Sequence, residues 1–204
     1  LPVEDQRHLL DRLNAAEALE KFLGTKYLGQ KRFGLEAAES LLPILDAILE
    51  QAAELAGGVI APTNVIGDRQ GSRVEHGGVI VPGEFKAAYR EYQSGGWAGV
   101  TASAEYGGQG LPFLLGVAVE EMWCSANLAW SLCPLLTEGA ARAIEAHASE
   151  GLRKAYLPKM VAGEWTGTMN LTEPQAGSDL AALRTQAVPE GDHYRITGQK
   201  IFIT

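Results

Sequence analysis

The sequence predicts an α+β fold that is mainly α. Three observations carry this: apolar residues recur at helical spacing through most of the chain, the pattern turns to strand-like alternation after Trp165, and glycine-rich turns separate the segments. The 204 residues are 46% hydrophobic and 21% charged, an ordinary globular balance. Seventeen Lys+Arg against 25 Asp+Glu give a net charge of −8, which excludes a generally basic nucleic-acid binder. Cys124 and Cys133 cannot make a disulfide framework, so a reducing compartment, the cytoplasm, is expected. No apolar run approaches the roughly 20 residues of a membrane span, and Leu1–Asp5 lacks the features of a signal peptide. The chain begins without Met, so its true start is expected to lie upstream.

The first helix is expected from Val3 to about Glu20, with Leu9, Leu10, Leu13, Ala16 and Leu19 on one face. Gly24, Gly29 and Gly34 then break the pattern around Lys26, Lys31 and Arg32. A second helix is expected over 36–55, starting near Ser40 because Pro43 belongs in a first turn. Gly57 to Gly83 reads as turn-rich, and a short helix from Glu84 carries Phe85, Ala88, Tyr89 and Tyr92 up to Gly95-Gly96. After the loop Glu105–Pro112, the segment Phe113–Leu136 is apolar on nearly all sides and reads as one buried helix. Helices at about 138–148 and 150–162 follow. Arg184–Val188 and His193–Thr197 alternate as strands around the turn Pro189–Asp192, and Lys200–Thr204 is a further β-rich run. That run stops without a polar tail and leaves strand edges unpaired, which predicts a chain cut within its β region.

The segment with the clearest chemistry is Trp165–Leu180. Thr172 and Ser178 are hydroxyl donors on either side of a tight turn made by Glu173-Pro174 and Gly177. Gly177 permits close backbone approach, and the amides and hydroxyls around it suit an anionic group such as a pyrophosphate. The same residue types also make an ordinary capped surface turn, and composition alone favours that reading.

The order of the residues goes further. Leu-Thr-Glu-Pro-Gln-Ala-Gly-Ser-Asp (171–179), followed after the hairpin by Gly-Gln-Lys-Ile-Phe-Ile-Thr (198–204), closely resembles the flavin-binding signature of the acyl-CoA dehydrogenase family. Trp97–Val100, Glu105–Gly110 and Tyr156–Trp165 match in the same order, so the resemblance covers about 46–204. Asn64–Pro112 is most similar to the N-terminally extended subgroup that includes 3-methylmercaptopropionyl-CoA dehydrogenases.

The resemblance implies a helical N-terminal domain over 46–165 and the first strands of a β-barrel middle domain over 166–204. It implies FAD as cofactor, an acyl-CoA thioester as substrate, an electron acceptor such as an electron-transfer flavoprotein, and a homo-oligomer when complete. Met169, Leu171 and Thr172 would line the flavin, with the Thr172 hydroxyl near its pyrimidine edge. Ser178 would reach the FAD pyrophosphate or the CoA end of the substrate. Phe202 stands where many members have Trp, which keeps the aromatic face and loses the indole N–H. Thr204 would bond the flavin near N5, and the segment 113–136 would help to wall the acyl pocket. The reaction implied is α,β-dehydrogenation, with a carboxylate removing the α-proton and the β-hydrogen leaving as hydride to flavin N5. The family's base belongs to a C-terminal bundle, so no catalytic residue is assigned here; Glu173 is a turn residue, since a base must reach the substrate proton.

Residues 3–45 resemble a segment of the E1 component of 2-oxoglutarate dehydrogenase, through Arg7–Leu13, Ala15–Tyr27, Lys31–Glu36 and Glu39–Pro43. That points to a chimera joined in the helix near Leu42–Leu49, where either parent needs only the same apolar spacing. His8 reads as a solvated helix residue and Lys26/Lys31/Arg32 as a solvated turn, with anion binding as the alternative. His76, His147 and His193 lack metal-ligand spacing, so no metal is expected. The four tryptophans are expected in the core or at subunit contacts. Two other readings remain: a non-catalytic helical or oligomerising domain that retains the signature, and an E1-like assembly fragment.

Overall fold

The computed structural model describes residues 35–203, with side chains from Pro43 onward. The expected helix over Val3–Glu20, the Lys26/Lys31/Arg32 cluster, His8 and Thr204 lie outside the described residues.

Helix α1 runs over Leu35–Leu55, and Ile48, Leu49 and Ala52 sit on the side it turns to its neighbours. Pro43 lies inside the helix rather than in its first turn, at the cost of one amide donor. The glycine pair Gly57-Gly58, expected to open a turn-rich stretch, instead lies in a π-helical turn over Ala56–Ile60 that leads directly into helix α2 (Ala61–Gln70). Local glycine freedom loses here to packing, because Ala56 and Ile60 are fully in the core. Pro62 sits in the first turn of α2, where proline is tolerated. Only the remainder of the expected turn region is irregular: a small antiparallel hairpin of β1 (Arg73–Glu75) and β2 (Gly78–Ile80).

Helix α3 (Gly83–Ser94) agrees with expectation and ends at Gly95. The segment expected as one helix over 113–136 is two, α4 (Phe113–Ala126) and α5 (Leu128–His147), and α5 also absorbs the helix expected at 138–148. The break is Asn127, in extended conformation at φ −159°. Its carbonyl oxygen accepts from the Trp130 amide at 3.1 Å and caps α5, and its amide donates to the Thr63 hydroxyl at 2.8 Å. Thr63 in turn donates to the Ile60 carbonyl at 2.6 Å. A fully buried asparagine is costly unless its polar atoms find partners, and this one ties α5 to α2. Helix α6 (Glu150–Val161) starts at Ser149, whose side chain accepts from Leu152.

These helices share one core of Ala52, Ala56, Ile60, Ala88, Tyr92, Leu115, Val119, Met122, Trp123 and Trp130. Trp123 and Trp130 lie in it as expected, each edge-on to Tyr92 at 6.1 and 5.6 Å between centroids, while Trp165 is exposed. Such pairs add about 0.5–1.5 kcal/mol each beyond burial. The Trp130 indole donates to the Phe85 carbonyl, so the aromatic cluster also fixes α3.

After Trp165 the chain has little regular structure until an antiparallel hairpin of β3 (Gln186–Glu190) and β4 (His193–Thr197), in register from Gln186↔Thr197 to Glu190↔His193. Strand β3 begins two residues later than expected, because the Arg184 and Thr185 amides donate to the Glu173 carboxylate instead of to a strand. The β-rich run after Gly198 forms no strand over 200–203. Every residue of both strands is exposed.

Candidate flavin-binding segment

The stretch after α6 is docked on α5 by Gly167, whose amide donates to the Thr137 hydroxyl at 3.0 Å. A Cβ at Gly167 would stand 2.5 Å from that of Ala140, so only glycine allows this approach. Thr137 itself donates to the Cys133 carbonyl. Trp165 packs on Tyr156 and under the Lys159 ammonium, at 5.8 and 4.4 Å.

From this anchor the chain runs through Met169 and Leu171, both exposed, to the tight turn Glu173–Ala176, closed by reciprocal amide-to-carbonyl bonds of 2.9 and 3.0 Å. Ala176 is buried beneath it, whereas Gly177 and Ser178 face outward. Nothing lies within 4 Å of where a Gly177 Cβ would be, so the backbone there is open to approach. Asp179 accepts from the Ala181 amide and caps the 3-10 turn Leu180–Ala182.

Glu173 points inward and is 3% exposed. One carboxylate oxygen accepts from the Arg184 amide at 2.8 Å and the Gln175 side chain at 2.6 Å. The other accepts from the Thr185 amide at 3.0 Å and the Lys200 ammonium at 2.9 Å. The Thr185 hydroxyl beside it, Lys200 and these amides hold its carboxyl well below the usual carboxylate range. Lys200 also donates to the Leu171 carbonyl at 2.9 Å, and the Ile201 amide to the Thr172 carbonyl at 3.0 Å. The run carrying Phe202 is therefore laid alongside the segment carrying Leu171 and Thr172. Phe202 itself is 84% exposed, with a left-handed backbone at φ 57°, uncommon for an aromatic residue.

Met169, Leu171, Gly177, Ser178 and Phe202 are thus exposed and Thr172 is half-buried, with Leu171-Thr172 and the run bearing Phe202 brought together by the Lys200 and Ile201 bonds. Sequence reasoning treated Glu173 as part of a surface turn and passed over Lys200. The signal available was a carboxylate and a lysine in the two halves of one signature.

A separate cavity of about 610 Å³ lies between α1, α3, α5 and α6, lined by residues such as Leu45, Tyr89, Tyr92, Phe113 and Met160. Of the segment 113–136 only Phe113 and Pro134 reach it, and no residue of the signature does. At its rim Arg142 pairs with Glu138 at 2.6 Å and lies 4.1 Å from the centre of the Phe113 ring, while Thr101 donates to Glu138. Burial, with the Glu138 charge adding, pushes the neighbouring Glu120 carboxyl up. Among the described residues no group of three or more His, Cys, Asp and Glu side chains could hold a metal ion, and no helix is long and apolar enough to cross a membrane.

Residues 46–164 match the family model described as acyl-CoA dehydrogenase, N-terminal domain. The chain is 47% identical over 159 residues to a 3-methylmercaptopropionyl-CoA dehydrogenase of Ruegeria pomeroyi, which covers 78% of this chain and 27% of that protein. A glutaryl-coenzyme A dehydrogenase solved in complex with glutaryl-CoA superposes with a TM-score of 0.67 at 27% identity, over 78% of this chain and 39% of that one. An acyl-CoA dehydrogenase from Bacillus anthracis, solved with FAD, shares the fold, with a TM-score of 0.64 at 23% identity, over 81% of this chain and 27% of that one. By its sequence and its helical architecture, the chain belongs to the acyl-CoA dehydrogenase N-terminal domain family.

Proposed function

We propose that this chain forms the helical part, and part of the flavin face, of an FAD-dependent acyl-CoA dehydrogenase. The observation that carries this is the exposed Met169, Leu171 and Ser178 with the half-buried Thr172 between them, beside the run that bears Phe202. The donor set suits FAD: Met169, Leu171 and Phe202 offer apolar surface to a planar ring, and Thr172 and Ser178 offer neutral hydroxyls to its polar edge and phosphates. The open backbone at Gly177 leaves room for the approach. When bound, the flavin supplies the hydride acceptor for α,β-dehydrogenation of an acyl-CoA thioester.

On this reading Met169, Leu171 and Thr172 orient the ring, and Ser178 holds the pyrophosphate or the CoA end of the substrate. Phe202 would cover one side of the ring, and Thr204, outside the described residues, is assigned to N5 by the family resemblance alone. The segment 113–136 walls the acyl pocket from its side. The 47% identity to the Ruegeria protein supports the extended subgroup. The division into 1–45, 46–165 and 166–204 is part of the proposal, supported for its middle part by the family match. Residues 1–45 are assigned no activity; their E1 resemblance gains no support from the comparisons.

These 204 residues are proposed not to turn over an acyl-CoA by themselves. The four donors on Glu173 hold it as a structural anion rather than a free base, and the chain spans 27% of the length of the Ruegeria relative. Assembly as a homo-oligomer and electron transfer to a flavoprotein acceptor belong to the same proposal. Titration of the chain with FAD, read by quenching of flavin fluorescence and a shifted visible band, tests the binding. Saturable binding with no reduction of an electron acceptor by short or branched acyl-CoAs is expected. A chain that leaves FAD fluorescence unchanged overturns the flavin reading and favours a non-catalytic helical domain.

A further inference from the structure

We infer that Glu173, with Lys200, is a positioning residue that sets the spacing between the two sides of the flavin face, and through it the affinity and electronic environment of the bound flavin. The inference rests on the flavin reading above. Its ground is geometric, because three separated stretches of chain converge on one buried carboxylate. The Glu173 turn brings Leu171 and Thr172; the Arg184 and Thr185 amides hold the entry to β3; Lys200 holds the exit from β4. Lys200 bridges back to the Leu171 carbonyl, and the Ile201 amide bonds the Thr172 carbonyl one residue further on. Leu171-Thr172 and Ile201-Phe202 are therefore held together by this group acting with those two bonds, since the two form no strand pair.

Both carboxylate oxygens are saturated, each with two donors. That makes the group unusually specific in its chemistry. A glutamine has the same shape, yet whichever way its amide turns, its NH2 faces two donors and accepts from neither. In one orientation the Arg184 amide then loses its partner; in the other the Thr185 amide and the Lys200 ammonium both do, which loosens the run after Gly198. Lys200 is the second half: a methionine there removes the ammonium bonds to both Glu173 and Leu171, while an arginine retains a cation that can donate to both.

The test uses the full chain, as wild type and as Glu173→Gln, Lys200→Met and Lys200→Arg. Without FAD, amide hydrogen exchange is followed at Arg184, Thr185 and Ile201, with the Trp123 and Trp130 near-UV signal reporting the helical core. With FAD, the dissociation constant, the position of the visible flavin band and the reduction potential are measured. Glu173→Gln and Lys200→Met are expected to speed exchange at Ile201 and weaken FAD binding by about tenfold or more, the scale of one lost charged hydrogen bond. They are also expected to shift the flavin band and potential while the tryptophan signal stays at its wild-type value. Lys200→Arg is expected to restore most of the affinity and the band position. Unchanged exchange at Ile201 in both variants overturns the inference, whatever FAD does. So does faster exchange with FAD affinity, band and potential all at wild-type values. A wild-type chain that fails to bind FAD, with Ile201 still freed in Glu173→Gln, overturns the flavin reading and leaves the clamp itself supported.

Discussion

The two parts of this molecule handle their apolar side chains in opposite ways. In the helical part Trp123, Trp130, Met122 and Ile60 are each 6% exposed or less, and even the polar Asn127 and Thr63 find partners inside. In the part after Trp165, Ile196, Tyr194, Val188 and Phe202 are all exposed, and among the described residues the β3–β4 hairpin has no layer packed on either face. What holds the second part in shape is a buried charge, the Glu173–Lys200 pair, rather than a core. A two-stranded hairpin is marginal by itself, so surface left open in this way is where a second element or a ligand gains most by binding.

That contrast predicts a ranking of mutational effects. The largest is Trp123→Ala, expected to cost about 3–5 kcal/mol through the cavity it leaves, read by urea denaturation followed by circular dichroism. Asn127→Ala is expected to cost about 1–3 kcal/mol, because it uncaps α5 and removes the bond from Asn127 to the Thr63 hydroxyl; the same denaturation measures it. Gly167→Ala places a methyl against Ala140 and is expected to cost about 1–3 kcal/mol, with Trp165 fluorescence responding as the segment lifts from α5.

A pH effect comes next. Burial, with the Cys133 thiol adding, pushes the Tyr89 hydroxyl up to about 12, and burial pushes Tyr92 up as well. A raised folded-state value means the stabilisation is complete below the ordinary value of 10.0 and is lost as pH rises from there towards 12. The denaturation midpoint of the wild type is therefore expected to fall across that window. Tyr89→Phe, which also removes the bond to the Gly163 carbonyl, is expected to fall less steeply. Smallest of all is Ile196→Ser, expected to change stability by no more than about 0.5 kcal/mol. A large loss from Ile196→Ser would show that the hairpin already has a packing partner, and would erase the contrast.

The helical part was largely legible because its signal is periodic. Tyr92 and Ala88, expected on one face of the short helix, are both core residues. Two of its misreadings share a cause: Gly57-Gly58 and Asn127 were judged by local preference, whereas the chain at both places follows contacts tens of residues distant, such as Asn127 to Thr63. The later part was legible as a signature and not as geometry. Alternation suggested that Arg184 begins a strand, but its amide belongs to Glu173, eleven residues earlier, and no periodicity records such a bond. That Phe202 offers an aromatic face within the signature was readable, while its left-handed backbone was not.

The π turn at Ala56–Ile60 has a consequence for how this family member can change length. Such a turn closes hydrogen bonds one residue wider than the α-helical ladder on either side, so it works as a phase adjustment in a continuous rod. The five residues of the turn advance the rod by about as much as four α-helical ones, so removing one there, for instance Gly57, would restore ordinary pitch and leave the two sides nearly in phase. Removing one from the α-helical stretch before it, for instance Ala53, would instead rotate everything beyond by about 100°, and Thr63 would swing away from Asn127 although neither residue had been altered. An insertion at Gly71-Ser72, in the bend before the small hairpin, carries no such penalty. Residue count is thus a fixed coordinate along the α-helical part of the rod and a free one just past its end.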